Sequence, residues 1–265
     1  MKQIDNYIQE KLHINKNIET YKFFPTNRDE LHDAVYSLLD GNKSWRGEVI
    51  DLNCIDTSKI TDMHGLFKNL GDLIKIEISA WDTSKVRDMS NMFMDCNNIE
   101  IDVSNWDVHR VEDMSGMFYG CTKFNNDLSK WNVNKVKYFS DMFFECSNFE
   151  GNGLENWNLE AVLEFTRMFA GCKKFNADLS NWNFPKAYRF EGAFKQCESF
   201  QGKGLDNWDV SEVEDMEDMF LGCEELCVDL SNWNTNKLEY YDDMVLGCHK
   251  MKPEFLPKQL RLRKR

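Results

Sequence analysis

The sequence predicts an α/β repeat protein: a solenoid of about eight coils, with a parallel β-sheet on one face and short helices on the other. Two observations predict this fold. Tryptophans recur every 25 or 26 residues, and the other apolar residues recur at fixed distances from them along the chain. Such a period is typical of repeat architectures, in which each unit buries its apolar faces only by stacking on its neighbours.

The repeat is marked by seven of the eight tryptophans, which are separated by 25, 25, 26, 25, 26 and 25 residues. These predicted core residues are Trp81, Trp106, Trp131, Trp157, Trp182, Trp208 and Trp233. Twelve residues after six of them come the other predicted core residues, Phe93, Phe118, Phe143, Phe169, Phe194 and Phe220. A less regular copy centred on Ile55 completes eight units, so residues 49–251 are assigned to the repeats.

Each unit contains two local patterns. Around the Trp the pattern alternates, as in Trp131 and Val133, which predicts a short strand with one buried face. From five residues after the Trp, apolar residues recur at steps of three and four, as in Val111 and Met114, which predicts short helical turns. The Asp before these turns, for example Asp113, is a suitable N-cap residue.

The two ends differ from the repeats. Residues 1–48 are predicted to form an α-helical N-terminal cap, because Asn27–Glu30 resembles a capping box and an apolar stripe follows until Gly41. Residues 252–265 form a basic C-terminal tail. The tail is either solvated or a docking segment for an acidic partner or nucleic acid.

Composition limits the function classes. The 42% of hydrophobic residues excludes a disordered chain. The net charge of −13 favours solubility or a basic partner, and it argues against nucleic-acid binding except through the basic tail. The first residues contain no apolar signal-peptide core and no segment is apolar enough to span a membrane. We therefore expect a cytoplasmic location in the producing cell, with a virion or the host cell surface as alternatives.

The cysteines predict no catalysis. Seven of the nine lie fifteen residues after a repeat Trp, which indicates buried, reduced thiols that pack as small apolar side chains. No disulfide is expected, because neighbouring helical segments lie farther apart than the roughly 7 Å Cα limit for a disulfide. The sequence contains no zinc-binding spacing and no nucleophile or phosphate-binding motif. We therefore expect no metal, no cofactor and no enzymatic activity.

A binding site is predicted beside the tryptophans, where packing leaves residues free to vary. The residue after each Trp is Asp or Asn, which either caps backbone groups or forms a polar ladder facing solvent. The candidate partner-binding residues are Lys130, Asn132, Asn156, Asn158, Asp82, Asp107, His109, Asn134 and Glu160.

The repeat motif resembles that of the BspA-like leucine-rich-repeat family. The resemblance rests on Trp106-Asp107-Val108, then Asp113-Met114, Met117-Phe118 and Cys121, and a closing Asn-Asp-Leu-Ser before the next Trp. It covers about residues 49–251. It implies a right-handed, leucine-rich-repeat-like solenoid and a role in attachment or protein–protein contact, commonly on bacterial surfaces or in viruses that infect bacteria.

Two hypotheses for the function follow. The first is a non-enzymatic, intracellular or virus-encoded solenoid that binds a protein, alone or within a larger assembly. The second is an adhesin-like, cell-surface attachment protein with an unrecognised export route. The sequence does not name the protein partner in either hypothesis.

Overall fold

The computed structural model describes residues 21–41, 49–71 and 75–261. Helix α1 spans Arg28–Gly41 and helix α2 spans Lys258–Arg261. Strands β1 (Val49–Asp51) and β2 (Lys75–Glu77) pair in parallel, with Ile50 opposite Ile76. Two 3-10 turns occupy Leu205–Asn207 and Pro253–Phe255.

Helix α1 begins at the predicted capping segment. Asn27 Oδ1 accepts the backbone N–H of Glu30 at 3.0 Å, and the Glu30 carboxylate accepts the backbone N–H of Thr26 at 2.7 Å. Arg28 Nε donates to the His64 carbonyl in the first coil at 2.8 Å. The helix contributes to the common core through Leu31, Ala34, Val35 and Leu39. The other residues of the predicted cap, 1–20 and 42–48, lie outside the described residues.

Neighbouring repeats lie side by side in parallel register. Parallel bridges join each residue seven places after a repeat Trp to its counterpart in the next repeat, without interruption from Asp62 to Tyr240. Alternate backbone N–H groups also donate to the next coil. In the coil of Trp106 these donors are four residues whose bonds measure 2.7–3.0 Å: Met114, Gly116, Phe118 and Gly120. The repeats therefore form one stack.

The segment after each Trp consists of two consecutive tight turns, where the sequence predicts helical turns. In the coil of Trp106, the Met117 N–H bonds the Met114 carbonyl at 3.1 Å, and Gly116, third in the turn, has φ 61°. Gly120 has φ 72° at the same place in the second turn. A positive φ at this position is the signature of a type II turn. The segment does not form a helix, because alternate N–H groups donate to carbonyls of the next coil and are not available for hydrogen bonds within a helix.

The backbone around each Trp also turns, where the sequence predicts a strand. The Trp131 N–H bonds the Leu128 carbonyl at 3.0 Å and the Val136 N–H bonds the Val133 carbonyl at 3.0 Å. The coils are joined here by side chains instead, since Trp131 Nε1 donates to the Val103 carbonyl of the preceding coil at 3.0 Å. All seven repeat tryptophans make this bond.

The core lies between the Trp segments and the paired turns. The phenylalanine rings stack in one column from Phe67 to Phe220, with centroids 5.2–5.7 Å apart. This column packs against the tryptophans, as in the pair Phe93 and Trp106 at 6.1 Å. All thirteen side chains that the sequence assigns to the core are buried, with at most 5% of each exposed.

Glycine pairs explain the two 26-residue spacings. Gly151 and Gly153 precede Trp157, and Gly202 and Gly204 occupy the same places before Trp208. Gly153 has φ 86°, and a Cβ there would lie 2.2 Å from the backbone nitrogen of Ser129 in the preceding coil. The extra residue therefore requires glycine, because the backbone has a positive φ and passes too close to the preceding coil to carry a side chain.

The C-terminal segment packs on the last coil. The Leu230 N–H bonds the Phe255 carbonyl at 2.7 Å, and Gln259 Nε2 donates to the Thr235 carbonyl at 2.5 Å. Leu256 is buried. The part of the predicted basic tail that is described, residues 252–261, is therefore an ordered cover rather than a solvated tail, because its leucines shield the apolar end of the stack. Residues 262–265 lie outside the described residues.

Candidate functional site

The seven cysteines that lie fifteen places after the tryptophans, here called the cysteine column, have a structural role. Cys121 Sγ donates to the Phe93 carbonyl of the preceding coil at 3.1 Å, and the other six column thiols make the equivalent bond at 2.9–3.0 Å. Burial raises the pKa of the Cys96 thiol to about 11 and that of the Cys248 thiol to about 12. Thiols held in the neutral form are poor nucleophiles, and all nine cysteines are free.

No group of three or more His, Cys, Asp or Glu side chains in the described part of the chain is placed to hold a metal ion. None of the helices in the described ranges has the length and apolar character needed to cross a bilayer.

The Trp-flanking face comprises the residues one before, one after and three after each repeat Trp. In six repeats Oδ1 of the Asp or Asn after the Trp accepts the backbone N–H two residues further on, at 3.0–3.3 Å. Asn183 lacks this bond because Pro185 has no N–H. These side chains therefore fix the local backbone, as Asx turns do, and they are exposed at the surface.

The structure brings three of the nine candidate residues together. Asn156, Asn158 and Glu160 line a cavity of about 270 Å³ beside Trp157 and Leu159, together with two asparagines of the next coil, Asn181 and Asn183. Asn156, Asn158 and Glu160 are exposed. The Asn158 amide nitrogen makes no hydrogen bond among the described residues, so the cavity presents an unused donor.

The other six candidates lie outside this cavity. Lys130 Nζ donates to Asn105 Oδ1 of the preceding coil at 2.6 Å. His109 Nδ1 and Asp107 Oδ1 are 2.7 Å apart. The remaining three, Asp82, Asn132 and Asn134, are exposed on their own coils. The predicted residues thus occupy equivalent positions in successive coils, and three of them meet in a concave site at the coils of Trp157 and Trp182.

A second surface was missed by the sequence reasoning. We call the residues six to fourteen places after each repeat Trp, and after Ile55, the turn face. It holds sixteen carboxylates against six Lys and Arg side chains, so most of the net charge of −13 lies there. Tyr119 and Phe144, thirteen places after their tryptophans, stack at 4.6 Å on its outer side. The signal for it was variation at this position, which directly follows a position that is apolar in every repeat.

The parallel stack and its surface sites define a repeat protein. Two overlapping stretches, residues 35–154 and 137–257, match the family described as Mycoplasma protein of unknown function, DUF285. Together they span most of the chain, and the chain belongs to this family. No significant match was found among curated proteins or among solved structures.

Proposed function

We propose that the chain is a non-enzymatic, protein-binding solenoid, intracellular or virus-encoded, with the Trp-flanking face as its contact surface. The resemblance to BspA-like leucine-rich repeats supports the solenoid, and so does the uninterrupted parallel pairing of the coils. The right hand of the solenoid stays a prediction from that resemblance.

The cavity at the coils of Trp157 and Trp182 carries this proposal. Four asparagine side chains and Glu160 line it. Amide groups donate and accept hydrogen bonds without a net charge, so they suit the peptide groups and polar side chains of a protein. The buried tryptophans and their Asx turns hold these side chains on a rigid backbone, which lowers the entropic cost of binding.

The test compares two double variants that change the net charge equally. Asn156→Lys with Glu160→Gln alters the cavity, while Asn232→Lys with Asn236→Lys alters the corresponding positions of the last coil. The partner is captured from the source cells with the wild-type chain, identified and purified, and its Kd is then measured for each variant. We expect the cavity variant to bind at least about tenfold more weakly, as removal of a central contact does, and the control to stay within about twofold.

Two outcomes would contradict the proposal. Equal binding by the cavity variant and the wild-type chain would move the contact surface elsewhere. Cleavage of the chain by protease added to intact source cells would favour the attachment hypothesis over an intracellular role. Thermal unfolding of each variant checks the fold, because exposed substitutions usually change stability by less than about 0.5 kcal/mol.

A further inference from the structure

The last coil of the stack ends in backbone donors. In the preceding coil four alternate N–H groups donate to carbonyls of the last coil at 2.7–2.9 Å: those of Met216, Asp218, Phe220 and Gly222. The last coil repeats this backbone, since the Leu246 N–H bonds the Asp243 carbonyl at 3.0 Å and Gly247 has φ 83°. It is followed by the C-terminal segment instead of another coil. Within the described ranges the N–H groups of Val245 and Gly247 therefore make no hydrogen bond.

The C-terminal segment covers only part of this end. Its hydrogen bonds go to the Trp segment of the last coil, at Leu230 and Thr235. A cavity of about 390 Å³ lies between α2 and the turn face of the last coil, lined by residues 241–249 with Leu256 and Leu260. We call it the end groove. Its volume lies in the range of about 300–1,000 Å³ that is typical of ligand pockets, so it can hold a large side chain.

The phenylalanine column also ends at the end groove. Val245 takes the place that Phe220 and the other rings of the column hold in the preceding coils. Those rings are fully buried, whereas Val245 is half-buried and its neighbour Leu246 is 38% exposed. An aromatic ring over Val245 would continue the column and remove this apolar surface from water.

The other coils show what fits such an edge. In the coil of Trp106 the Met117 and Tyr119 carbonyls accept N–H groups of the preceding coil at 2.9 and 2.8 Å, and Phe118, between them, joins the column. The end groove continues this interface between coils. On the last coil it offers donors, because the Met244 and Leu246 carbonyls already accept bonds from the preceding coil. Its complement is therefore a polypeptide backbone with an aromatic side chain.

A second copy of the chain fits this edge poorly. Two C-terminal ends would place donors opposite donors. The complementary carbonyls belong to the first coil, and helix α1 already occupies that end of the stack. There Arg28 Nε donates to the His64 carbonyl at 2.8 Å, and Leu31 and Val35 of the helix are buried.

We propose that the end groove binds a short segment of a partner protein, which adds one more layer to the stack. Two carbonyls of that segment, two residues apart, accept the Val245 and Gly247 N–H groups. The residue between them is aromatic and lies over Val245, in the cavity lined by Leu246 and Leu260. The end groove is separate from the cavity beside Trp157, so this inference does not depend on the proposed function.

The probe is a fluorescent peptide with the sequence of residues 112–122, in which Cys121→Ser prevents oxidation. It contains the Met117, Phe118 and Tyr119 segment that makes the equivalent contacts inside the stack. Binding to the full chain is measured by fluorescence anisotropy. We expect Phe118→Ala in the peptide to weaken binding by about tenfold, as loss of a buried aromatic anchor does. Absence of binding at millimolar peptide would overturn the proposal.

Val245→Trp places a side chain of the chain itself in the end groove and should weaken peptide binding by about tenfold or more. The matched control is Val49→Trp, the same change at a residue that is 52% exposed on β1. It should leave the affinity within about twofold, and so should Asn156→Lys with Glu160→Gln. A thermal melt checks that each variant folds. Equal affinity of Val245→Trp and the wild-type chain would overturn the proposal.

Hydrogen exchange gives a measurement that needs no variant. Bound peptide should slow exchange severalfold in residues 241–249, because the Val245 and Gly247 N–H groups gain acceptors. Unchanged exchange there in the presence of bound peptide would overturn the proposal. Two other occupants are also tested. A dimer that Val245→Trp dissociates would show that a second copy fills the end groove, and a cross-link from residues 241–249 to residues 1–20 would show that the chain fills it itself; either result would overturn the proposal.

Discussion

Replacement of a central tryptophan tests whether stability resides in contacts between neighbouring coils. Trp157 is 2% exposed and stacks on Trp131 at 6.5 Å and on Phe139 at 5.5 Å. A buried Trp removes about 150–250 Å² from water, or roughly 4–6 kcal/mol at about 25 cal per Å². Partial collapse of the cavity brings Trp→Ala substitutions to about 3–5 kcal/mol.

The lost indole bond adds little to this cost. Trp157 Nε1 donates to the Leu128 carbonyl at 3.4 Å, and that carbonyl also accepts the Trp131 N–H at 3.0 Å. It therefore keeps a partner when the indole is removed, and no buried polar group is left unsatisfied. We expect Trp157→Ala to lower the free energy of unfolding by about 4 kcal/mol.

Trp233→Ala is the matched comparison at the end of the stack. Trp233 is 5% exposed, so it loses a similar area. Its coil, however, has a further coil on one side only, and in a linear array an end unit can fray without unfolding the rest. We therefore expect a smaller loss of global stability and faster hydrogen exchange confined to the last coil.

Urea unfolding gives the two free energies, and hydrogen exchange with mass spectrometry locates the opened residues. Trp157→Ala should accelerate exchange on both sides of its coil. Equal free-energy losses for the two variants, with the same exchange pattern, would refute the view of the chain as an array stabilised by neighbour contacts.

Three further predictions follow from single sites. Alkylation of the folded chain should modify the exposed Cys227 first, because burial protects the seven column thiols and raises their pKa. After unfolding without reductant, nine modified thiols would verify the reduced state, and fewer would indicate disulfides. Gly153→Ala should lower the melting temperature more than Gly71→Ala. Both glycines have a positive φ, but of the two only Gly153 has backbone within 3.0 Å of an added Cβ. Equal decreases in melting temperature would exclude close backbone contact as the cause. Hydrogen bonds from Lys203, and then from Ser180, lower the pKa of Asp178 to about 2. This carboxylate therefore stabilises the fold above its unfolded pKa near 4, and the stabilisation is lost as pH falls towards 2. At this exposed site it amounts to less than about 1 kcal/mol. Lys203→Met should reduce that pH dependence to the part that the Ser180 hydrogen bonds maintain, and an unchanged acid titration would show that the ion pair contributes nothing.

The sequence was informative about burial and less so about backbone conformation. The spacing of the tryptophans located the repeats and the residues that face the core, because every coil must bury the same positions. The steps of three and four after Val111 and Met114 were interpreted as helical. Consecutive tight turns place apolar residues at the same steps, so the pattern of side chains does not distinguish the two conformations.

The candidate site was predicted in part. The varied polar positions beside the tryptophans identified Asn156, Asn158 and Glu160, which line one cavity with residues of the next coil. The turn face was not predicted, because its charged and aromatic side chains come from several coils and only the parallel stacking of the coils brings them together.

The period of the repeat, the composition of the core and the acidic character of the chain can be read from the amino-acid sequence, because they depend on which residues are apolar or charged and how often they recur. The partners of the backbone hydrogen bonds depend on the tertiary structure. Alternate N–H groups of the turn face, such as those of Met114 and Gly116, donate to the neighbouring coil, so turns replace helices. Those bonds depend on the distance between coils, which exists only after the chain has stacked.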